Sequence, residues 1–82
     1  MTFNEWLDTL VEEKELDTEA IFEVPGKSEY GTNYIPLGCV IEAIKAAPKH
    51  EQAGIKTVLV KIDFCNGNVI DYFRHLAQAI AI

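Results

Sequence analysis

The chain has 82 residues, 49% of them apolar, and a formal net charge of −6 with a sequence pI near 4.7. That apolar content excludes disorder as the default state, while the length predicts a single domain, residues 1–82, whose one core is only just adequate, so that homo-oligomer formation is an open expectation. No apolar run approaches the ~18 to 20 residues that cross a bilayer, and the acidic start Met1-Thr2-Phe3-Asn4-Glu5 is unlike a secretory signal. A cytoplasmic protein is therefore expected, with no membrane contact. Cys39 and Cys65 fit that compartment as reduced thiols, because neither belongs to a CxxC pair and two cysteines are too few for a disulfide framework; a bridge between them stays geometrically open.

The charge is unevenly placed. Residues 1–31 hold nine acids against Lys14 and Lys27, a net −7, whereas the remainder holds four acids against five bases, a net +1. Such a bias favours basic partners and disfavours nucleic acid or anionic membrane.

In chain order, Thr2 and Glu5 form a capping-box pattern that predicts a helix start. Phe3, Trp6, Leu7, Leu10 and Val11 then recur at three-and-four spacing, with Glu5, Asp8 and Glu12 on the opposite side, so a first helix is expected over about 2–14. Asp17 is placed to cap a short helix over 17–23, ended by Pro25-Gly26. Residues 25–34 are rich in turn formers and read as a surface loop carrying Tyr30 and Tyr34. Pro36 suits the first turn of a helix to about Ala47, apolar nearly all round and hence central or at a subunit interface.

Pro48 ends that helix and opens the next. Ile55, Val58, Leu59 and Ile62 cluster on one helical side, which predicts a helix over 49–63. The same stretch also alternates, and an alternative reading places a β-hairpin at 56–73 around Asn66-Gly67. In the helical reading Asn66-Gly67 closes one helix and Asn68 caps the last, 68–81, with Val69, Phe73, Leu76 and Ile80 inward and Asp71, Arg74, His75 and Gln78 in water. The apolar end Ile80 to Ile82 is expected to dock on the core or on a second subunit. The fold class is therefore read as all-α, a compact bundle of four main helices plus one short helix, with α+β as the alternative.

Chemical motifs are sparse. Gly26-Lys27-Ser28 lacks the glycine that a phosphate-binding loop requires five residues earlier, where Ile21 stands. Cys39, Cys65, His50 and His75 are too scattered for a zinc site, and Cys39 reads as a small core residue. Asp71 and His75 are spaced as a surface helix pair, but no nucleophile completes a catalytic group. Lys45, Lys49, Lys56 and Lys61 are spread along the chain and offset by acids, which argues against DNA binding. No catalytic residue, cofactor or metal is expected.

What remains is recognition. Asp8 and Glu12 lie four apart on one helix face, a like-charge arrangement that costs a few tenths of a kcal/mol where lysines would be equally soluble. The expected function is that of a small binding or regulatory protein, of a type found in bacteria and their phages, contacting a basic protein through Glu5, Asp8, Glu12, Tyr30 and Tyr34. The alternative is a self-associating structural domain using Leu37 to Ile44 and Ile80 to Ile82; an enzyme is the reading with least support.

Overall fold

A computed structural model describes residues 1–25, 31–62 and 66–81. Helix α1 (Phe3–Glu13) is followed by strands β1 (Ile21–Pro25) and β2 (Thr32–Pro36), then α2 (Leu37–Lys45), α3 (Lys49–Lys61) and α4 (Asn66–Ala81). The fold is mostly helical with one antiparallel two-stranded hairpin, so it is not an all-α bundle. Nor is the hairpin where the alternative reading placed it, since 56–61 and 66–73 are helical.

The start of α1 follows the sequence. Thr2 Oγ1 accepts from the Glu5 N–H at 3.1 Å, and the Thr2 N–H donates to Glu5 Oε1 at 3.4 Å, the reciprocal pairing that satisfies two exposed donors at a helix start. Its end is a Schellman motif, in which the Glu15 N–H donates to the Glu12 carbonyl at 3.1 Å and the Leu16 N–H to the Val11 carbonyl at 3.0 Å. Leu16 and Val11, the apolar pair this motif brings together, both pack on the core. The motif requires a left-handed residue, and Glu15 supplies it at φ 51° without glycine's freedom.

The expected short helix over 17–23 is replaced by a turn and a strand. The Asp17 side chain accepts from the Glu19 N–H at 3.0 Å and its carbonyl from the Ala20 N–H at 3.1 Å, so the carboxylate closes a local turn instead of opening a helix. Phe22 and Val24 are then buried while Ile21 and Glu23 are exposed, a period-two pattern that suits a sheet with one face on the core. Phe22 pairs with Ile35, Glu23 with Tyr34 and Val24 with Asn33. Strand β2 also takes up part of the expected 25–34 loop, of which residues 26–30 lie outside the described ones.

Pro36 ends β2 and is the N-cap of α2, contributing no side-chain cap. The chain supplies the cap from the preceding turn: the Leu37 N–H donates to the Ala20 carbonyl at 2.8 Å and the Gly38 N–H to the Thr18 carbonyl at 2.9 Å. A Cβ at residue 38 would stand 3.4 Å from that Thr18 oxygen, at van der Waals contact, so alanine fits there as well as glycine. Leu37, Val40, Ile41 and Ile44 are all buried, and α2 is the central element, packing on α1, β2 and α4. Its exception is Cys39, expected in the core but exposed.

Helix α4 buries Val69, Phe73 and Ala77 completely and packs on β1 and α2. It begins at Asn66, so Asn66, Gly67 and Asn68 belong to its first turn and Asn68 is not the residue preceding it. Asp71 pairs with Arg74 at 2.8 Å, three residues on, and not with His75, while the Arg74 guanidinium lies 5.6 Å from the centre of the Phe22 ring. That stacking ties α4 to β1. Helix α3 is the lightly held element: Leu59 is its one buried residue, with Ile55 and Ile62 half-buried, and Val58 and Val60 face outward. No helix among the described residues is long and apolar enough to cross a membrane.

Candidate functional site

The four acids of α1 do different work. Glu5 is engaged in the capping box, where Thr2 Oγ1 also donates to its carboxylate at 3.0 Å. Asp8 accepts from Lys45 Nζ at 2.6 Å, joining α1 to α2, and Lys45 lies 3.6 Å from Glu42 one turn back on its own helix. The hydrogen bond that it donates to Asp8 holds the Lys45 ammonium above its ordinary pKa, with the charges of Asp8 and Glu42 adding to it against a partial desolvation. Glu12 is exposed and, among the described residues, has no ion pair; the same holds for Glu13. The uncommitted negative charge therefore sits at the C-terminal end of α1, in Glu12, Glu13 and Glu15, with Lys14 as the single base of that stretch. A helix C-terminus carries the negative end of the backbone dipole, so these acids oppose it as well as one another.

Tyr34 stands on the solvent face of the hairpin, 64% exposed, opposite Glu23 and on the same face as exposed Ile21. Among the described residues no hydrogen bond or ion pair connects it to α1; α1 and the hairpin share α2 as their common support. Tyr30 lies outside the described residues. The surface expected for self-association divides similarly: the apolar side chains of α2 are enclosed in the core, while Ile82 and the Ile80 side chain lie outside the described set.

A second feature emerges from the fold and was not read from the sequence. Trp6, Thr9, Leu10 and Glu13 of α1, with Lys14 and with Val60 of α3, line an open groove of about 410 Å³. Val60 is shared with an adjoining face of α3 made of Ala53, Lys56, Thr57 and Lys61. Lys56 Nζ lies 5.2 Å over the Trp6 ring, and Phe3 packs on that ring at 5.9 Å between centres. The hydroxyls on these walls are already satisfied, Thr9 donating to the Glu5 carbonyl and Thr57 to the Ala53 carbonyl, both at 2.9 Å, so covering them strands neither hydroxyl. The signal for this feature was the alternation of Val58 and Val60, which leaves apolar side chains off the inward side of α3.

No family model, curated protein or solved structure matches the chain. Its function is therefore argued from these side chains.

Proposed function

We propose that the chain is a small acidic protein-binding module whose contact surface is the outer face and C-terminal end of α1, with Tyr34 as an additional contact, and that its partner is a basic protein. The observation carrying this reading is the placement of Glu12, Glu13 and Glu15 at the unfavourable pole of a helix, without ion pairs among the described residues to compensate them. Solubility alone does not demand that arrangement, since lysines at the same positions would favour the dipole. A basic partner would replace the lost intrachain compensation with charge pairs across the interface, steering association and making it sensitive to salt.

The test is affinity capture at low salt followed by high-salt elution, with wild type and E12K/E15K side by side. Recovery of a basic protein by wild type and its loss with the reversed variant supports the module. Capture of nothing that salt elutes, or equal recovery by both baits, refutes it.

A further inference from the structure

The groove between α1 and α3 has two walls of opposite charge. On the α1 side, Glu13 and Lys14 line it, and with Glu12 and Glu15 beside them in the chain that end of α1 carries a net −2; Glu12 and Glu13 have no ion pair among the described residues. On α3, Lys49, Ala53, Lys56 and Val60 recur at spacings that share one side of a helix, and Thr57 and Lys61 flank them. This face holds three lysines and no acid, although α3 also contains Glu51, which borders a different hollow beside Ala47 and Leu76. Between the walls lie Trp6 and Val60, the latter 52% exposed. An apolar centre containing tryptophan, bordered by complementary charge and with its hydroxyls satisfied, has the anatomy of a contact surface.

We propose that the occupant is a second copy of this chain, related by a two-fold axis that lays the basic face of α3 in each copy against the acidic end of α1 in the other. The same surface supplies both charges, which is the self-complementarity an isologous interface needs. With 11 and 13 residues, α1 and α3 are about 16 and 20 Å long. Two helix widths then give a face of about 20 by 20 Å, about half of the ~800 Å² per partner of a standard stable interface. The pairing is therefore a weak, reversible one, and it occludes the acidic end of α1 in the paired form.

Charge exchange tests this independently of any other partner. K56E/K61E makes both walls acidic and takes the net charge from −6 to −10, while E12K/E13K makes both basic and takes it to −2. Sedimentation velocity over about 10 μM to 1 mM is expected to show wild type shifting from monomer to dimer, each variant alone remaining monomeric, and an equimolar mixture of the two regaining the dimer. Both variants stay net negative, so bulk attraction cannot produce the mixed complex. V60D, at a position that is half exposed, is expected to be monomeric with an unchanged circular dichroism spectrum. Wild type that stays monomeric throughout, a mixture that does not associate, or V60D that dimerises as wild type does would each overturn the proposal.

Discussion

Glu15 offers a sharp test of the local physics at the end of α1. It occupies a left-handed conformation, φ 51°, that its Cβ disfavours by about 1 to 2 kcal/mol relative to the right-handed region. Replacing it with glycine removes that penalty but adds chain entropy to the unfolded state, which returns about 0.5 to 1 kcal/mol. The expected net gain for E15G is about 0.5 to 1 kcal/mol. An 82-residue chain has an unfolding entropy of about 170 cal/mol/K, so the melting temperature should rise by about 3 to 6 °C. Because the change also removes one of several crowded acids, E15Q is the control: it deletes the charge and keeps the Cβ, and should give less than half the gain. Thermal melts followed by circular dichroism decide it. A fall in melting temperature for E15G, or an equal rise for E15Q, would refute the backbone argument and assign the effect to charge.

Four further outcomes follow. Gly54 lies inside α3 with open space where a Cβ would stand, so G54A should stabilise by about 1 kcal/mol in the same melts. T2A removes the hydroxyl that accepts from the Glu5 N–H while keeping the backbone N–H that donates to the Glu5 carboxylate, and should cost about 1 kcal/mol in urea unfolding, with T2S retaining most of the stability. Phe73 is wholly buried, and F73A should cost about 3 to 5 kcal/mol in urea unfolding, a large share of a total of about 4 to 12 kcal/mol for this length. Lys45 has its pKa raised by Asp8, and Tyr72 has its phenol raised by burial. In both cases the folded state keeps a proton that the unfolded state gives up, so their stabilisation is complete below the unfolded values of 10.5 and 10.0 and is lost as pH climbs through the folded ones. Y72F should flatten the decline of stability above pH 10; K45M should do the same while costing about 0.5 kcal/mol near neutrality, a small amount because Asp8 is 63% exposed.

The parts of the fold that were legible in the sequence are those decided by local chemistry over long windows. Thr2 and Glu5 fix the start of α1, and the line through Val69 and Phe73 fixes α4, because each signal is repeated along one helix. The hairpin was missed because its evidence is short and non-local. Asp17 accepts a backbone N–H two residues on in the turn it forms, much as it would in a helix cap, so its presence does not discriminate between them. Only Phe22 and Val24 mark the buried face of β1, and its partner Thr32–Pro36 begins seven residues after β1 ends, too far for a local pattern to announce the pairing. In the candidate site, the exposure of Glu5, Asp8, Glu12 and Tyr34 agrees with the sequence reading, and Glu5 makes the capping box expected of it, but the ion pair of Asp8 was not foreseen. Asp8 is claimed by Lys45, 37 residues away, and no spacing rule reveals such a pair. Counting lysines along the chain likewise hid the basic side of α3, which exists only once a helix gathers Lys49, Lys56 and Lys61.

The central claim, that the acidic outer face of α1 receives a basic protein, is tested most directly by backbone amide shifts of the isotopically labelled chain titrated with the basic protein recovered at low salt. The largest changes are expected on residues 12–19 of α1 and its exit turn, with a smaller set at Tyr34, and they should collapse as salt is raised above about 0.5 M. Changes concentrated instead on α4, or changes at α1 that persist undiminished in high salt, would contradict it.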